Sequence, residues 1–221
     1  MRFRLTYEGE LRASQRDPER DQRNKLAEHK QLIRKEFHGQ LKQLWQTNKF
    51  LREHQVRPIE FNLTPAQMVQ FIGSLGGPHQ EKIPMAEYIA SKYQRNGYRF
   101  VPLVREDISV LCSLNILFLR RDFPLGVVSA GDLDNRIKTL IDALRIPRNS
   151  NELRNNETPA AGEDPFFCLL EDDDLVTGLT VETDMLLDPP QLEDAGNGQV
   201  KLVISVEIRP DNVTMFNLNF A

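Results

Sequence analysis

In residues 131–144, GDLDNRIKTLIDAL, apolar side chains fall at Leu133, Ile137, Leu140, Ile141 and Leu144. That i, i+4, i+7, i+8 recurrence predicts an amphipathic helix with one stripe against a core. Asp132 stands at its entrance, where a carboxylate caps free amides. Asp134 and Lys138 lie one turn apart along one flank, and Asp142 continues that row towards solvent. Residues 2–7 alternate as a strand. A second helix is expected from Asp17 to about Glu53, with Leu26, Ile33, Phe37, Leu41, Leu44 and Trp45 on its stripe. Its remaining faces, which carry Lys30, Arg34 and Lys35 among other basic residues, read as solvated.

Thr64 and Pro65 open a helix over 66–75, and Pro84 opens a short one through Tyr93. Strands are expected at 100–104, 108–119, 175–185 and 200–209, with a polar, unstructured stretch at 145–164. The tail from Asn212 alternates weakly, as an edge strand or dimer arm. The fold class that follows is α+β: a small mixed sheet packed with the 131–144 helix and the long N-terminal helix. One domain spans 1–221, with a helical insertion at about 56–98 and a flexible loop at about 147–165.

Charge changes this picture by its distribution. Net charge is −4, but residues 1–55 hold 13 Lys and Arg against 8 Asp and Glu, while residues 150–199 hold 1 against 13. The basic end suits contact with a phosphate backbone, and the acidic region opposes it. Tyr88, Tyr93 and Tyr98 with Lys92, Arg95 and Arg99 read as core anchors first and as a base-stacking patch second. Cys112 and Cys168 form neither a disulfide framework nor a zinc set, and His29, His38, His54 and His79 lack ligand spacing and read as surface residues. With no apolar run of membrane-spanning length and no signal-peptide core in MRFRLTYEGEL, the expectation is a cytoplasmic protein without a membrane partner.

The candidate chemistry is carried by Asp132 and Asp134 together with the EDDD run at 171–174. Oxygen-rich clusters suit hard cations such as Mg²⁺, which keeps waters for phosphate oxygens to displace. Phosphodiester hydrolysis is the reaction this favours. The bland alternatives are helix capping for the DxD and a solvated turn for the EDDD.

The order of strand, DLDN, a lysine six residues after the first Asp, DAL, a loop and an acidic pair entering a Val-containing strand resembles the RusA family of Holliday junction resolvases. The matching residues are Asp132, Leu133, Asp134, Asn135, Lys138, Asp142, Ala143, Leu144, Asp172, Asp173 and Val176. The resemblance implies a homodimeric, Mg²⁺-dependent endonuclease, with Mn²⁺ as a substitute, that cuts branched DNA in recombination and repair. It implies Asp132, Asp134, Asp173 and Asp172 as metal ligands, with Lys138 as a catalytic residue beside Asp132, Asp134 and Asp173. Arg120, Arg121, Arg136 and Lys138 are the candidate nucleic-acid contacts. Two other readings stay open: a non-catalytic module for binding nucleic acid or protein, and a nuclease acting on other structured DNA or RNA.

Overall fold

Alternation of buried and less buried positions builds the larger sheet. In the computed structural model, which describes residues 1–14, 20–56, 82–120, 131–153, 158–187, 199–214 and 217–220, and of residues 20, 21, 131 and 132 the backbone alone, four strands lie in the order β1 (Arg2–Glu10), β9 (Gln199–Pro210), β6 (Val110–Arg120), β8 (Val176–Met185). β9 runs antiparallel to both neighbours, and β6 is parallel to β8. Leu5, Ile204, Ile116 and Val181 share one row across all four strands. On that face Leu5, Tyr7, Val110, Cys112, Leu114, Ile116, Phe118 and the alternate residues of β9 are buried. Their neighbours, which include Leu111, Leu117, Leu119 and Val203 beside polar residues, face the other way, as period-two alternation requires.

A smaller sheet orders β4 (Gln94–Arg95), β5 (Tyr98–Val104) and β7 (Phe166–Leu170), with β5 and β7 parallel. Every residue of β7, FFCLL, is buried. The sequence reading passed over this strand, although a continuous apolar run is what a strand covered on both faces shows. β2 (Gln55–Val56) and β3 (Ile83–Pro84) form a two-residue ladder that opens α3 (Met85–Lys92). Among the described residues the fold is thus α+β with several small mixed sheets and four helices, none long and apolar enough to cross a membrane.

The long N-terminal helix is α1 (Arg20–Thr47), with Ile33, Phe37, Leu41 and Trp45 buried as the periodicity requires. It ends sooner than expected, because Asn48 adopts an extended conformation and its side chain accepts the amide of Leu51, starting α2 (Lys49–Glu53). The expected helix at 66–75 lies outside the described residues. In the tail, the described residues include a 3-10 turn at Leu218–Phe220 and no edge strand. Phe220 is buried edge-on against Phe50, and its carbonyl accepts from the N-terminal ammonium.

The 131–144 helix is α4 (Gly131–Leu144), and its C-terminal end is held by charge. Arg34, read as solvated, is 1% exposed. Its Nη2 donates to the carbonyl of Asp142 at 3.0 Å and its Nε to that of Arg145 at 3.2 Å, satisfying acceptors that the end of a helix leaves free. Its third bond goes to Gln31. Asp142, expected towards solvent, is buried as well, because Lys30 of α1 and Arg145 both bind its carboxylate. Those bonds outweigh the cost of burial and hold Asp142 below the usual carboxylate range.

Arg34→Met keeps the apolar stem but strands two buried carbonyls, and should cost about 3 kcal/mol. Arg34→Lys, which cannot fork across both carbonyls, should cost about half of that. Urea denaturation of the full chain, read as a shift in midpoint at constant slope, measures both.

Candidate metal centre

The acidic run follows β7 directly and enters β8, so its place is fixed by the end of a buried strand. Leu170 bridges to Arg145 and accepts the amide of Ile146, which brings residues 171–174 to the C-terminal end of α4. Asp172 caps a 3-10 turn, Asp173–Leu175, by accepting the amide of Asp174 at 3.3 Å. The turn gathers Asp172, Asp173 and Asp174, each offering a carboxylate oxygen within 4.8 Å of the others. Glu171 points elsewhere, accepting the amide of Glu106 at 3.0 Å and a bond from Tyr93.

Three carboxylates at this spacing repel one another, and two arginines answer them. Arg148 donates to Asp172 at 2.8 Å and to Asp173. Arg145 brings its Nε to 3.7 Å from Asp173 while its other nitrogens hold Asp142 and Glu152. The Arg148 hydrogen bond holds the Asp172 carboxyl well below its usual range. Partial burial pushes Asp173 the other way, reinforced by the hydrogen bond it shares with Asp172. Beside the turn opens a cleft of about 600 Å³, lined by Tyr93, Arg95, Ile146, Arg148, Asp172 and Asp174 among others. An all-oxygen donor set next to an open cleft fits Mg²⁺ or Mn²⁺.

The DLDN end of α4 stands elsewhere. Asp134 and Lys138 are exposed, and roughly 15 Å of helix separates Asp134 from Leu144. Among the described residues Asp134 does not join the carboxylate cluster. Asp132 is in the first turn of α4, but its side chain lies outside the described residues. This end packs near the end of β1, where the Asn135 carbonyl accepts the amide of Ser14 and Glu10 is held low chiefly by its hydrogen bond from Arg12, with a smaller contribution from the charge of Arg136. Arg120 is the last residue of β6, and Arg121 lies outside the described residues. Asp172 and Asp173 are therefore brought together, while Asp134 and Lys138 are not brought to them.

The basic aromatic patch is largely occupied. Tyr98 is fully buried, Arg99 is paired with Glu87 and Asp164, and Lys92 lies over Tyr88 and pairs with Asp107. What the sequence reading missed is the Arg145 and Arg148 pair, placed in the stretch taken as least structured. The available signal was LRIPR at the end of α4, where cations complement the helix dipole. No family model, no curated protein and no solved structure matches this chain.

The opposed shifts give a titration that can be checked. Asp172, depressed in the fold, adds stability above its ordinary value of 3.8 and loses it as pH falls through the folded value. Asp173, raised, takes its proton first. Carboxyl-carbon NMR should therefore show the pair titrating in two steps, one above and one below 3.8, and Arg148→Ala should move the lower step upward.

Proposed function

We propose that the chain is a Mg²⁺-dependent endonuclease, RusA-like, that cuts branched DNA such as Holliday junctions as a homodimer, with Mn²⁺ able to replace Mg²⁺. The observation that carries the reading is the cluster of Asp172, Asp173 and Asp174 beside an open cleft. Asp172 and Asp173 would hold the ion, with Asp174 within the same reach. A divalent ion held there would supply charge to a scissile phosphate and lower the pKa of an attacking water.

The chain's own groups have distinct parts in this reading. Arg148, about half exposed, neutralises the turn while no cation is present and is free to turn to a phosphate oxygen when one arrives. Arg95, on the cleft wall and bonded to the carbonyl of Pro147, offers a second guanidinium to the backbone of the substrate. Arg145 is too deeply buried to reach substrate and instead positions Asp173. Asp132, Asp134 and Lys138 enter as a second acidic and basic group at the other end of α4. Arg120 and Arg136 are proposed to contact the DNA backbone, together with Arg121, which lies outside the described residues.

A second reading is favoured by one observation: two of the three carboxylates already have guanidinium partners, and the DLDN end is remote from them. It is a non-catalytic module that uses the same fold to bind nucleic acid or protein.

Incubating the full chain with a synthetic four-way junction, a flap, a duplex and an RNA hairpin, each with Mg²⁺, Mn²⁺ or Ca²⁺, separates these readings. The nuclease reading expects junction cleavage in Mg²⁺ and Mn²⁺, falling at least a hundredfold in Asp173→Asn with binding retained. No cleavage of any substrate in any ion would leave the module. Asp134→Asn asks separately whether the first turn of α4 belongs to the reaction, and full activity in that variant removes it.

A further inference from the structure

His38, read from the sequence as a surface residue, is 6% exposed and lies in the middle of α1 against the head of β7. Its Nδ1 accepts the amide of Phe167 at 2.8 Å, and its Nε2 stands 3.2 Å from the carbonyl of Gly162. Only the neutral ring with its proton on Nε2 serves both partners at once. The ring also stacks on Phe166, centroids 4.4 Å apart, and on Phe167 at 5.8 Å. One imidazole thus ties a helix to a turn and to the first residues of a strand.

We propose that His38 is an acid-released latch that holds residues 160–167, and through them the head of β7, against α1. A proton on Nδ1 sets two donors face to face, leaving the buried amide of Phe167 without an acceptor. The charged groups around the ring offset this little. Lys42, one turn on along α1, donates to the same Gly162 carbonyl and repels a cation, while Glu163 in the facing segment is paired with Lys35. Arg34, one turn before, is directed to the end of α4, and β7 presents Phe166 and Phe167. Released by acid, the segment frees the strand whose far end carries the acidic turn. The latch is independent of whether that turn takes a metal.

The direction with pH follows from burial, which pulls the ring below its ordinary 6.5. The latch is at full strength above 6.5 and weakens as pH falls below it towards the folded value, because the open form binds the proton better. One proton taken up on opening changes the opening constant by up to about tenfold per pH unit, or up to about thirtyfold between pH 7.5 and 5.0.

Amide exchange of Phe167 in the intact wild-type chain reads this directly. Corrected for the intrinsic rate, its opening should rise at least threefold and up to about thirtyfold from pH 7.5 to 5.0, while the amide of Leu202 in β9 stays within threefold. The single tryptophan, Trp45, whose ring lies 5.7 Å from that of Phe167, should change emission over the same range. His38→Gln keeps an acceptor and a donor but cannot titrate, so both responses should flatten in it and survive in His29→Gln. A Phe167 opening that changes less than threefold in wild type overturns the proposal, as does a response that persists in His38→Gln.

Discussion

The end of a helix is the constraint around which this structure is arranged. The last carbonyls of α4 have no intrahelical partners, and Arg34, reaching from α1 through the core, donates to that of Asp142 and to that of Arg145, the residue just past the helix. Burying a guanidinium is costly, and the burden is met by three acceptors at once and by the negative end of the helix dipole. Because Arg34 fixes that end, Asp142 and Arg145 are fixed too, and the bond that Lys30 gives to the Asp142 carboxylate, which Arg145 also holds, locks α1 to α4. The bridge from Arg145 to Leu170 then fixes the end of β7.

From there the position of the acidic turn follows with little freedom. Buried β7 delivers the chain, Asp172 shapes the 3-10 turn, and Arg148 and Arg145 hold two carboxylates that would otherwise repel each other. The two arginines differ in kind. Arg145 is sealed in, whereas Arg148 is half exposed, so the bond it gives up to an incoming cation or phosphate is a surface one worth about 1 kcal/mol or less. A turn built in this way is ordered without an ion yet costs little to open to one.

Much of the fold was legible because it rests on periodicity. The alternation in β6 and β9 and the stripe of α4 follow from local rules. The failures at charged and histidine side chains share a cause: polar residues were assigned to solvent by type. Arg34, Asp142, His29 and His38 are all buried, each because a partner distant in sequence completes its hydrogen bonds. The candidate site was half legible for the same reason. Acidic residues at 171–174 are visible in the sequence as a run, but whether α4 presents its first or its last turn to them depends on the length of the connection and on the Arg145 to Leu170 bridge. No local pattern encodes that choice.

The central claim is that the proposed divalent-ion centre is the turn of Asp172, Asp173 and Asp174, positioned by the last turn of α4. A thermal melt with and without saturating Mn²⁺ tests it without requiring activity, since an ion bound only by the folded chain stabilises it by roughly 2.7 kcal/mol at a hundredfold excess over its dissociation constant. The account predicts that wild type and Asp134→Asn are stabilised equally and that the double variant Asp172→Asn with Asp173→Asn is not. Stabilisation that vanishes in Asp134→Asn, or survives loss of both Asp172 and Asp173, would contradict it.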